Sequence, residues 1–201
     1  MSIHIDGKKI TAMYWGGQKI REAWYEGQRV FSGKPVEVMP PTSNWYGAQD
    51  WLRGRLTEYG EDYRTVEELP FEIDSSQVTN MSGMFRRCSS LASVPDMDTS
   101  QVTNMNVMFH GCSSLTTVPD MDTSQVTDMG SMFYGCSSLT TVPDMHTSNA
   151  SDVSRMFYGC SSLTDGNVRL IGKRTGVNTY GMIQGSGLTR EPFYDSSGQP
   201  I

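Results

Sequence analysis

The 201-residue chain contains no long apolar run, and nothing in it approaches the ~20 residues that a membrane-spanning helix needs. Charge is sparse too: 19% of residues are charged, too few for a solvated, disordered polyelectrolyte. Cations are fewer than anions, 16 Lys and Arg against 22 Asp and Glu, and the net charge of -6 argues against nonspecific nucleic-acid binding. Histidine is limited to His4, His110 and His146. No GxSxG, HExxH, Walker or GxGxxG motif occurs, so no nucleophile stands beside an oriented base. Catalysis and a bound cofactor are therefore not expected. The opening Met1-Ser-Ile-His-Ile-Asp6 lacks the basic and apolar regions of a secretory signal, which points to synthesis in a reducing cytoplasm.

Two residue types are abundant where bulky aliphatics are not: Met numbers 14 and Cys numbers 4. The cysteines fall at Cys88, Cys112, Cys136 and Cys160, a constant 24-residue step. Met84-Phe85, Met108-Phe109, Met132-Phe133 and Met156-Phe157 precede them in step, and Leu91, Leu115, Leu139 and Leu163 follow. Pro95, Pro119 and Pro143 are each followed by Asp-Met, and Ser-Gln-Val-Thr begins at Ser76, Ser100 and Ser124. Looser copies surround Val66 to Pro70 and Met182 to Leu188. A fixed period of this length is the signature of stacked repeats. Within one unit, Val102, Met105, Met108, Phe109, Cys112, Leu115, Val118 and Met121 are the apolar positions. No unit holds enough apolar area to fold alone, but stacked units bury these columns against each other.

The expected fold is an α+β solenoid of about five 24-residue coils. The apolar spacing predicts a short helix over 104–112, and a short strand is expected over 115–121 with a bend at Pro119. The four thiols lie in one column, point in parallel and have no CxxC spacing. They read as reduced, buried small hydrophobes rather than disulfide partners or zinc ligands.

The turn dipeptides Asp6-Gly7, Gly16-Gly17 and Glu26-Gly27 punctuate a ten-residue repeat, with Met13-Tyr14-Trp15 and Ala23-Trp24-Tyr25 between them. This predicts a small antiparallel β-meander, a docking or oligomerisation module over 1–33. Residues 34–43, rich in proline, read as a semi-rigid linker. Trp45, Ala48, Trp51, Leu52, Leu56 and Tyr59 fall at helical spacing, so 44–65 is expected to be a helical N-terminal cap. The repeats then occupy 66–163, where Asn149-Ala150-Ser-Asp-Val153 suggests that the array is ending, and 164–201 closes the other end.

Two surface columns are candidates for function. One is variable over a constant core: Arg86, His110, Tyr134 and Tyr158. Aromatics and arginine are what interface hot spots favour, so these are the expected partner-binding residues. The other is acidic: Asp96, Asp120 and Asp144, with Asp98 and Asp122 two residues on. Such a stripe would hold Ca²⁺, meet a cationic partner, or simply keep a solvated edge soluble.

Asp122-Thr-Ser-Gln-Val-Thr-Asp-Met129, Met132-Phe133 and Cys136-Ser-Ser-Leu139 resemble the BspA-like leucine-rich repeat family, in its short variant found in mycoplasma and actinobacterial proteins. The resemblance covers about 66–163 and implies a leucine-rich-repeat-like stack in a surface-associated or phage-encoded protein that binds partners. The glycine-punctuated start is similar to modules of phage and prophage tail-associated proteins. Together the resemblances imply a virion component: residues 1–33 would contact other virion proteins or form a homotrimer, and the repeat arm would meet a protein or cell-envelope glycan of the host. A bacterial cell-surface adhesin is the alternative. Neither nucleic acid nor membrane is an expected partner.

Overall fold

A computed structural model of the chain describes residues 34, 36–41 and 47–201, together with the backbone of six strands between residues 3 and 31. The six are β1 (Ile3–Ile5), β2 (Lys8–Ile10), β3 (Met13–Trp15), β4 (Gln18–Ile20), β5 (Ala23–Tyr25) and β6 (Gln28–Phe31). They pair antiparallel as three hairpins, β1 with β2, β3 with β4 and β5 with β6, so the expected single meander is instead three separate pairs. In sequence, Asp6-Gly7, Gly16-Gly17 and Glu26-Gly27 stand between the two strands of each hairpin.

The linker expected over 34–43 contains a strand. β7 (Val36–Val38) pairs antiparallel with β4 and parallel with β8 (Glu72–Asp74), giving a four-stranded sheet in the order β3-β4-β7-β8. Val-Glu-Val is a period-two strand sequence, and Pro35 and Pro40 bound it instead of interrupting it. Glu37 and Met39 are buried as a result. Glu37 accepts hydrogen bonds from Tyr59 Oη at 2.7 Å and Arg55 at 3.3 Å, both from α1 (Gly47–Glu58) or the residue just beyond it.

Helix α1 covers the first coil. Ala48, Leu52 and Leu56 are buried, Gln49 Nε2 donates to the Arg86 carbonyl at 3.3 Å, and the Trp51 ring meets Phe71 edge-on at 6.1 Å. Trp45 lies outside the described residues.

From residue 78 onward the chain is a stack of coils cross-linked by backbone hydrogen bonds. The amides of Met105, Val107, Phe109 and Gly111 donate to the carbonyls of Asp128, Gly130, Met132 and Tyr134 in the next coil, at 2.7–2.9 Å. The amides between them turn inward: Met108, His110 and Cys112 donate to the carbonyls three residues back at 3.0–3.2 Å. All eight apolar positions named above for this unit are buried.

The short helix expected over 104–112 is therefore absent, replaced by linked turns. Val107 (φ 51°) and Gly111 (φ 77°) are left-handed, and so are their counterparts Gly83 and Arg87, Ser131 and Gly135, and Arg155 and Gly159. An α-helix, which needs φ near -63°, cannot pass through two such residues four apart. Val107 is the costly one, because a β-branched side chain is strained at positive φ. Val107→Gly is expected to stabilise the protein by about 1 kcal/mol, the relieved strain exceeding the entropy that glycine adds to the unfolded chain. Urea denaturation checks this, and an unchanged or lower midpoint would contradict the strain argument.

The strand expected over 115–121 is not formed either. Pro95, Pro119 and Pro143 occupy the same place in successive coils and remove one ladder donor from each. Strands appear where the next coil carries Val168 at that place: β10 (Leu170–Ile171) pairs parallel with β9 (Met145–His146) on one side and with β11 (Phe193–Tyr194) on the other.

The array also runs on past residue 163. The Phe157 amide donates to Met182 O at 2.8 Å, and Asp152 bridges Asn178 in parallel, a 26-residue step in place of the 24-residue one. Asp152 and Val153 keep their places, so the altered run over 149–153 stays in register. One added residue is in place before Leu170, which pairs with Met145 at a 25-residue step, and the second falls between 172 and 178, next to the left-handed turns at Gly172 and Gly176.

Inside the stack, Phe85, Phe109, Phe133 and Phe157 form a column of parallel rings, 5.4 to 5.7 Å between neighbouring centroids. The four cysteines are free and buried. Burial pushes the Cys88 and Cys160 thiols up to about 12 and likewise raises Cys112 and Cys136 well above the ordinary thiol range. Held protonated, three of them donate to phenylalanine carbonyls of the preceding coil: Cys112 to Phe85, Cys136 to Phe109 and Cys160 to Phe133, at 3.0–3.1 Å. The cysteines are thus weak cross-coil donors as well as core filling. A buried hydroxyl column does similar work. Ser75, Thr99 and Thr123 donate to the carbonyls of Asp98, Asp122 and His146 at 2.9–3.0 Å.

Candidate functional site

One residue after each core phenylalanine the chain emerges at the surface, at Arg86, His110, Tyr134 and Tyr158. The left-handed residues on either side fix this exit, and the 24-residue step places each side chain over the last. The His110 and Tyr134 rings lie parallel with centroids 4.6 Å apart, and Tyr134 and Tyr158 follow at 4.7 Å. All four side chains are half-buried. Because the rings cover each other's faces, the ladder offers its edges outward, a row of polar tips on an apolar body. Such a row can accept and donate hydrogen bonds to a partner without rearranging, since stacking has already fixed its rotamers. Arg86 adds a cation at one end.

His110 is the electrostatic feature of the ladder. Its Nδ1 is buried and has no hydrogen-bond partner among the described residues. Burial, then the charges of Arg86 and Arg87, hold its pKa below the ordinary 6.5. The imidazole is accordingly neutral at pH 7. Because the folded-state value is depressed, the unfolded chain binds more protons as pH falls below about 6.5, and stability is lost across that window. His110→Gln is expected to flatten this loss. Thermal midpoints at pH 7.5, 6.5 and 5.5 check it, and identical pH dependence in the two proteins would contradict it. The carboxylates that accept from nearby serines, Asp98 and Asp122, have lowered pKa values and act only at lower pH.

The acidic column does not assemble into a cation site. Asp98 Oδ1 accepts from Ser100 N at 3.0 Å and Ser100 Oγ at 2.7 Å, and Asp122 Oδ1 accepts from Ser124 N at 2.9 Å. These carboxylates cap their own turns. Asp144 pairs with Arg169 at 3.0 Å. Asp96 lines a separate recess of about 290 Å³ with Lys34, Glu68 and Glu72, while Asp120, Asp122, Asp144 and His146 border an open groove. Among the described residues no three His, Cys, Asp or Glu side chains converge as metal ligands. Of the three readings of Asp96, Asp98, Asp120, Asp122 and Asp144, the calcium one finds no support among the described residues: turn capping and an ion pair engage three of the five.

A family model described as "Mycoplasma protein of unknown function, DUF285" matches residues 61–169, just over half of the chain. The chain belongs to the DUF285 family. No curated protein and no solved structure matches it. The DUF285 match contains Arg86, His110, Tyr134 and Tyr158 and the whole acidic column. It leaves out the N-terminal hairpins, α1 and the last coil.

Sequence reasoning missed two features of this protein. One is a column of Asx turns in the DUF285 segment, in which the side chains of Asn80, Asn104, Asp128 and Asp152 each accept from the amide two residues on, at 2.7–2.9 Å. Their period of 24 was visible, but the mixture of Asn and Asp hid the shared acceptor role. The other is Tyr180 on the last coil, which is 69% exposed and stacks beneath Arg155 at 5.3 Å. The altered spacing there masked the alignment.

Proposed function

We propose that this DUF285 protein is a non-enzymatic binding protein, a tail-associated virion component of a phage or prophage. In this reading the coils form a leucine-rich-repeat-like solenoid, and that arm contacts the host envelope or another virion protein. The N-terminal module contacts the particle. The observation that carries the binding role is the ladder His110, Tyr134, Tyr158: with Arg86 the surface column holds three residue types in four coils, while Phe85, Phe109, Phe133 and Phe157 beneath it are constant. Likeness of the segment 1–33 to tail-associated modules supports the virion setting.

Two measurements test the reading. Mass spectrometry of purified particles should find the chain; its absence there, with presence on the surface of cells, would replace the virion reading with the adhesin one. Tyr134→Ala should weaken binding to host cells about thirtyfold, the cost of removing an aromatic hot spot. Thr116→Ala, on another face, should leave binding unchanged. Equal binding by wild type and Tyr134→Ala would remove the ladder from the interface.

A further inference from the structure

The two ends of the stack are unlike. At the first coil, α1 covers the apolar columns and Gln49 occupies the Arg86 carbonyl. At the last coil the strand side is closed as well: the tail folds back so that Tyr194 bridges Pro200 antiparallel and the Ile201 amide donates to Phe193 O at 3.1 Å. The turn side of that coil is left bare among the described residues.

Four times over, alternate amides of one coil donate to alternate carbonyls of the next. In the last instance Val153, Arg155, Phe157 and Gly159 donate to Asn178, Tyr180, Met182 and Gln184. The equivalent amides of the final coil, Thr179, Gly181, Ile183 and Gly185, donate to nothing among the described residues. Gly181 and Gly185 keep the left-handed φ values (63° and 72°) of their counterparts Arg155 and Gly159, so the four N–H groups hold the orientation that pairs in every earlier coil. Ile183 sits at the end of the phenylalanine column and is half-buried, with Tyr180 exposed beside it.

This edge is one-sided. Its alternate carbonyls point back into the stack and its free donors point out. Two copies therefore cannot pair edge to edge, because donors would face donors. They cannot stack head to tail either, since α1 covers the acceptor-bearing end.

We infer that the turn edge at Thr179, Gly181, Ile183 and Gly185 is a docking site for a segment of a different polypeptide chain that folds onto it as a repeat coil does, the occupant that every earlier edge of this kind has. That segment would add as one further coil, its alternate backbone carbonyls accepting the four amides and an apolar side chain covering Ile183. Edge addition of this kind draws affinity from main-chain hydrogen bonds and specificity from the pocketed side chain. The inference is independent of the ladder and of the virion setting.

The test titrates the whole isotopically labelled protein with a synthetic peptide of residues 126–141, a coil that already makes this contact inside the chain. Saturable shifts of the Gly181, Ile183 and Gly185 amide signals are expected, with Ile183→Glu weakening the peptide at least tenfold and leaving the other signals in place. Thr141→Glu, far from the edge, should change nothing. Absence of shifts at millimolar peptide would overturn the inference, as would shifts confined to the Arg174 and Arg190 side chains. Concentration-dependent dimerisation of the protein alone that Ile183→Glu abolishes would also overturn it, by assigning the edge to a second copy.

Discussion

Phe109→Ala lowers the unfolding free energy by about 3–5 kcal/mol, as for other large buried aromatics. Phe109 has no solvent exposure and is stacked on both faces, by Phe85 and by Phe133, at 5.4 Å. Alanine at this position removes one ring but empties contacts in three coils. The backbone cannot close the gap, because the hydrogen bonds on either side hold the coils at a fixed spacing. In a stack each coil is supported only by its neighbours, so the damage should be local at first. Urea unfolding followed by circular dichroism should show a lower midpoint together with a broader transition, as coils on either side of residue 109 uncouple. Phe109→Leu should recover part of the loss. A neutral Phe109→Ala would place the core elsewhere.

Leu52→Ala is expected to cost about 2–5 kcal/mol, the range for truncating a buried leucine. Leu52 and Leu56 are both fully buried under α1, and a helix this short stays folded only while that face is covered. The damage should have a direction. Loosening α1 exposes Phe71 and the first coil, whose amides at Met81, Gly83 and Phe85 should then exchange with solvent faster, while those beyond Phe133 change little. Uniform acceleration along the chain would mean that the helix is not an end cap but a brace for the whole stack.

How much of this was legible beforehand differs from element to element. The core was readable because burial repeats: a side chain that must face its copy in the next coil recurs at the 24-residue period, and all eight apolar positions from Val102 to Met121 are indeed inside. The path of the backbone between those positions was not readable. Spacings of three and four suit a helix, yet they also suit linked turns, and the choice was made by left-handed residues such as Val107 and Arg87, whose side chains do not advertise positive φ. The 34–43 segment misled for the opposite reason. Its prolines are a linker signal, but they sit at the ends of Val36–Val38, where a strand tolerates them. The variable column was found by its variability. The acidic column was found by composition, which says nothing of whether carboxylates converge, and here Asp98 and Asp122 are engaged with serines of their own turns.

Alternate amides of every coil but the last are donated forward to the next coil. Hydrogen exchange of the intact protein, read amide by amide, tests it directly. The account predicts slow exchange at Met105, Val107, Phe109 and Gly111 and at their counterparts Met129, Ser131, Phe133 and Gly135, with fast exchange at Gly181, Ile183 and Gly185, which have no coil beyond them. Slow exchange at Gly181, Ile183 and Gly185 equal to that of the inner coils, or fast exchange at Phe109 and Phe133, would contradict it.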